Sequence, residues 1–90
     1  MSNQSIKIFK SLSDSTRINI VRELISFNEL SCHEISQKFD LAQPTLSFHL
    51  NKLISAQVIS VRKQGSSHIY CVNKDFLTTI GLNIKKIINY

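Results

Sequence analysis

Apolar residues recur along most of this chain at intervals of three and four, give way to alternation past the middle, and then return to the longer period. Ile6, Phe9 and Leu12 open the pattern and predict a short first helix. Asp14 then offers a carboxylate to the free N–H groups of a new helix start. Ile18, Val21, Leu24 and Ile25 carry that second, amphipathic helix to about Phe27 or Asn28. Ser31 and Glu34 have the spacing of a capping box, in which hydroxyl and carboxylate each satisfy an orphan N–H. They predict a third helix that buries Ile35 and Phe39, with Asp40 after it as a left-handed turn residue.

Pro44 marks the next start. A proline at the first helical position loses no hydrogen bond, and it pushes Gln43 out of helical geometry. Leu46, Leu50, Leu53 and Ile54 form one stripe of this fourth helix; Pro44, Phe48, Asn51 and Ser55 lie opposite, with Ser47 beside them. After Gln57 the period drops to two. Val58 to Lys63 and Ile69 to Val72 read as strands, joined through Gln64-Gly65-Ser66-Ser67, which puts Arg62 and Lys63 near a hairpin tip. From Asp75 to Tyr90 one broad apolar face (Phe76, Leu77, Ile80, Ile84, Ile87, Ile88) predicts a single closing helix.

Composition narrows what such a chain does. Ninety residues make one domain, residues 1–90, and with 42% hydrophobic residues it has a core to bury. Eleven Lys and Arg against six Asp and Glu leave a net charge of +5, which favours a polyanionic partner, although many basic domains never meet nucleic acid. The polar start and two cysteines suggest a cytoplasmic chain with reduced thiols, and no stretch is apolar enough for a membrane span. Paired carboxylates, a nucleophile with a positioned base and a phosphate-cradling glycine loop are all missing, so neither an enzyme nor a cofactor is expected.

The order of elements predicts a mostly helical α+β fold, a helix-turn-helix followed by a β-hairpin wing. Its fourth helix has the thickness of a major groove, and its N-terminal residues would reach base edges of double-stranded DNA. The expected reading face holds Gln43, Pro44, Thr45, Ser47, Phe48 and Asn51, with Gln suited to adenine and Phe48 to a thymine methyl. His49 sits at the edge of the buried stripe, as a structural or phosphate-bonding residue. Arg62, Lys63 and His68 would contact phosphates or the minor groove, unless they merely guard an exposed strand edge.

Leu12-Ser13-Asp14-Ser15-Thr16-Arg17, Glu34-Ile35-Ser36, Leu41 through Leu50, Arg62 through Gly65 and Ile69-Tyr70 together resemble the ArsR/SmtB winged-helix repressors over nearly the whole chain. The resemblance implies a homodimer paired through its first and last helices, and Ile6, Phe9, Phe76, Ile80, Ile84 and Ile87 are the expected interface. It also implies repression relieved by a signal. Ser15 stands where the family often has Pro, and Gln57 where it often has Gly, so Gln57 is expected to take a mildly costly positive φ.

Many relatives sense metals through Glu-Leu-Cys-Val-Cys-Asp at the start of the third helix. This chain has Glu29-Leu30-Ser31-Cys32-His33-Glu34 there, and its last segment contains Asp75 but no His. Neither pattern is intact, which leaves Cys32 and His33 as weak metal candidates. The family arrangement also pairs the residues before the third helix with the second wing strand. That would bring Cys32 toward Cys71, a redox pair if their Cα atoms approach within about 7 Å and otherwise two small buried hydrophobes. The rival readings are a metal- or thiol-gated repressor of the same fold and a winged helix that binds protein instead of DNA.

Overall fold

A computed structural model describes residues 2–89. In chain order it contains α1 (Asn3–Ser11), α2 (Ser15–Phe27), β1 (Leu30–Ser31), α3 (Cys32–Phe39), α4 (Gln43–Ser55), β2 (Ile59–Gln64), β3 (Ser67–Val72), α5 (Lys74–Thr79) and α6 (Ile84–Ile87). The sheet is antiparallel with strand order β1-β3-β2. This is the α+β winged helix-turn-helix that the patterning predicts.

The caps hold as read. Asp14 accepts from the Arg17 N–H at 3.0 Å, and Ser31 and Glu34 exchange bonds of 3.1 and 2.8 Å. Those N–H bonds keep both carboxyls below their ordinary values: Arg17 N–H is the main cause for Asp14 and Ser31 N–H for Glu34. A depressed carboxylate stabilises the fold above its unfolded value, near 4, and that contribution is lost as pH falls through the lower folded value. Melting temperature should therefore drop between about pH 5 and pH 3. Asp14→Asn with Glu34→Gln should flatten that limb in pH-dependent thermal melts, because Asn still caps a helix.

Helix α4 begins at Gln43, one residue earlier than Pro44 alone suggests, with Ala42 extended before it. Proline serves equally well at the second position, since every N–H of the first turn lacks an intrahelical partner. At its other end α4 closes in a Schellman turn: Val58 N–H reaches the Leu53 carbonyl at 3.0 Å, and Gln57 N–H that of Ile54 at 2.9 Å. Gln57 takes φ +63°, the strained geometry that the family resemblance implies where a glycine is often found. Gln57→Gly should stabilise the fold by roughly 0.5–1 kcal/mol, read as a higher melting temperature at fixed protein concentration.

The single closing helix is not found. A second Schellman turn interrupts it: Leu82 N–H bonds the Leu77 carbonyl at 2.8 Å, Gly81 N–H bonds that of Thr78 at 2.9 Å, and Gly81 sits at φ +84°. Asn83 then caps α6 by accepting from Lys86 N–H. Apolar periodicity runs unbroken through the stop, so the glycine outweighs it. Tyr90, the expected end of that helix, lies outside the described residues.

The break redirects the last residues. Ile84 and Ile88 turn into the chain's own core, at 5% and 3% exposure, and Arg22 Nη2 pins the Ile88 carbonyl at 2.8 Å. Ile84, expected at a dimer interface, is thus largely spent within one subunit. Phe76 and Ile87 are half-buried against the core, whereas Ile6, Phe9 and Ile80 remain exposed.

Candidate nucleic-acid interface

Residues 40–42 connect α3 to α4, with Asp40 left-handed at φ 48° and ψ 47° as expected. The turn sets α4 so that Leu46, Leu50 and Leu53 are buried. Its opposite side is open: Gln43, Pro44, Thr45, Phe48 and Asn51 are exposed and Ser47 is half-buried. Phe48 is 55% exposed, a costly place for an aromatic ring unless something apolar meets it. Lys52 Nζ lies 5.4 Å from its ring centroid, which adds positive charge to the same surface.

Two of these side chains carry contacts that the sequence did not disclose. Gln43 Nε2 lies 3.6 Å from the Cys32 thiol, which ties the first residue of α4 to the first residue of α3. One edge of the Gln43 amide is thereby held while its carbonyl oxygen remains free to accept. His49, a candidate DNA contact, instead faces inward with its side chain 13% exposed. Its Nδ1 lies 3.1 Å from Arg17 Nη1 and 3.8 Å from Asp14 Oδ2. Arg17 Nε also donates to the Ser11 carbonyl at 2.6 Å. His49 therefore braces α4 from behind, and its apolar-edge position was the only local hint of that.

In the wing, Lys63 and His68 face each other across the β2–β3 pair, both exposed. Arg62 is on the other side of the ribbon and is engaged: Nη1 and Nη2 donate to the two Glu29 oxygens at 2.8 and 3.0 Å. This bond, more than anything else, draws the Glu29 carboxyl below its ordinary range. The ion pair is half-exposed, the class that contributes little to stability. The wing cation without a protein ion pair among the described residues is Lys63.

The expected strand pairing before α3 is present, with Leu30 opposite Tyr70 and Ser31 opposite Ile69. It does not align the thiols. Cys32 neighbours the Tyr70 side chain, whose phenol is pushed above its usual value by burial and, after that, by the thiol. Cys71 is the next residue along β3 and points to the opposite face, toward Ser60 and Arg62. Both cysteines are free. His33 is exposed beside Cys32, and among the described residues no group of three or more His, Cys, Asp or Glu is placed to hold a metal ion.

A helix with a buried leucine stripe, an open polar and aromatic face and a basic hairpin beside it defines a winged helix-turn-helix DNA-binding regulator. The description "bacterial regulatory protein, arsR family" matches residues 14–61, from the cap of α2 into β2. An arsenical resistance operon repressor of Staphylococcus xylosus is 39% identical over 77 residues, spanning 86% of this chain and 73% of that one. The transcriptional repressor SdpR of Bacillus subtilis is 34% identical over 70 residues, 78% of this chain and 77% of its own. The crystal structure of the repressor PagR of Bacillus anthracis superposes with a TM-score of 0.76 at 28% identity, over 93% of this chain and 92% of that one. The chain belongs to the ArsR family of bacterial regulatory proteins and is an ArsR-type DNA-binding repressor.

Proposed function

We propose that this repressor binds a pseudo-palindromic operator as a homodimer and reads each half-site with the open face of α4. The observation that carries the proposal is that face itself, where Gln43, Thr45, Phe48 and Asn51 are exposed while the leucines opposite are buried. Gln43 and Ser47 supply hydrogen bonds to base edges, Phe48 packs on a thymine methyl, and Lys63 with His68 meets the phosphates beside the groove. Dimerisation is supported by Ile6, Phe9 and Ile80, apolar residues that a single chain leaves 40%, 37% and 37% exposed. A two-fold pair would place the α4 helices about one DNA turn apart, near 34 Å.

Selection of bound sites from random duplexes tests this directly. A symmetric motif with half-site centres about 10 base pairs apart is expected, whereas an asymmetric motif or none would refute the dimeric reading. Gln43→Ala should relax preference at one base position per half-site, costing about 1–3 kcal/mol of discrimination there. Lys63→Ala should weaken binding to every sequence alike and reduce the salt slope by about 1. A Lys63 variant with altered sequence preference would contradict the wing's assignment to the backbone.

A further inference from the structure

A second basic surface adjoins the reading face at the C-terminal end of α4 and shares Lys52 with it. Lys7, Lys10 and Ser11 of α1, Arg17 of α2, and Lys52, Ser55 and Ala56 at the end of α4 line a cavity of about 280 Å³. Lys7 and Lys10, three residues apart, share one face of α1, and Lys52 stands across from them. The walls are tied together, because Gln4 Nε2 donates to the Ala56 carbonyl at 2.9 Å and Arg17 Nε to that of Ser11 at 2.6 Å. Four of the chain's eleven Lys and Arg therefore border one hollow.

No carboxylate lines that cavity. Asp14 is committed to the Arg17 N–H and to His49, Glu23 pairs with Lys38, and Glu29 pairs with Arg62. Among the described residues no carboxylate pairs with Lys7, Lys10 or Lys52, so an anion drawn from solution meets no competing side chain of opposite charge. Arg17 spends two of its five N–H donors on Ser11 and His49 and keeps the remainder of its fork. The Ser11 hydroxyl is committed to the Ile8 carbonyl at 2.8 Å, so the donors that face the hollow come from the three lysines, the free part of the Arg17 fork and the exposed Ser55 hydroxyl.

We infer that this cavity is an oxoanion site that takes a phosphate group. The phosphate has two possible sources, the backbone of DNA flanking the groove or a free phosphorylated small molecule. Ser55 lies about 18 Å along α4 from Gln43, so a DNA phosphate bound here would lie outside the contacts of the reading face. That arm rests on the DNA-reading proposal; the free-anion arm does not.

The test is titration of the intact protein with inorganic phosphate and then pyrophosphate, at constant ionic strength, followed by amide NMR shifts. Saturable shifts at Lys7, Lys10, Arg17, Lys52 and Ser55 are expected, with binding about fivefold weaker in the Lys7→Gln/Lys10→Gln variant. Both lysines are exposed, so the variant should melt like the parent, which a thermal scan checks. In parallel, the salt slope for a random duplex should fall by about 1–2 in the variant if DNA supplies the phosphate. An unchanged slope together with saturable anion binding assigns the site to a free anion. If DNA binding is absent while pyrophosphate saturates the cavity, the site stands and the operator reading fails. No saturable shift at these residues with either anion, together with an unchanged slope, overturns the inference.

Discussion

Phe9→Asp should leave the fold intact, convert the proposed dimer to monomers and lower operator affinity by about two to four orders of magnitude. Phe9 is 37% exposed and lies outside the core, so the substitution removes little packing within a subunit. Across a two-fold interface the same side chain would meet Ile6 and Ile80 of a second copy or their neighbours. A carboxylate forced into that contact would be desolvated with no hydrogen-bond partner, a cost of several kcal/mol, counted once in each subunit. The loss of DNA binding follows from geometry. Two linked reading helices engage the second half-site at a high effective concentration, and separated subunits do not. Sedimentation of parent and variant at micromolar concentration, paired with gel-shift titration, checks both parts. A parent that sediments as a monomer, or a variant that remains dimeric, would show that this face is not the interface.

The second large effect is expected inside the subunit. Arg17→Met should destabilise the fold by about 2–4 kcal/mol, roughly 10 °C or more in melting temperature for a domain of this size. Arg17 bonds the carbonyl of Ser11, a residue only 5% exposed, and reaches His49 on α4. Methionine retains the length of the side chain and none of its donors, so the Ser11 carbonyl and the His49 ring lose their partners together. Because His49 sits directly after Phe48, the reading face should also loosen, and operator affinity should fall even at temperatures where the variant is folded. Chemical denaturation gives the first quantity and low-temperature gel shifts the second. A variant as stable as the parent would mean that solvent already satisfies these groups.

Both effects depend on pairs far apart in the sequence. Arg17 and His49 are separated by 32 residues, Arg62 and Glu29 by 33, and no local pattern marks either pair. For that reason the sequence left His49 between a structural and a phosphate-bonding role and Arg62 between a DNA contact and an edge guard, while in the folded chain one is turned inward and the other holds a carboxylate. The Cys32 and Cys71 side chains make the same point. Strand pairing brings their segments together, but the alternation of β3 sends the thiols to opposite faces. Only the register separates adjacency along a strand from contact across it.

What the sequence determined by itself was whatever depends on neighbours within about four residues. The caps at Asp14 and Ser31–Glu34, the left-handed Asp40, the leucine side of α4 and the hairpin all follow from backbone sterics and local hydrogen bonding, while the strained Gln57 came from the family resemblance. Family resemblance extended that reading to β1 and to the function. Tertiary structure decided the rest: the break at Gly81 that sends Ile84 inward, the brace behind the reading helix, the carboxylate on the wing, and the gathering of Lys7, Lys10, Arg17 and Lys52 around one cavity. These arrangements exchange solvation for contacts between distant segments, and periodicity along a chain carries no record of which distant group will arrive.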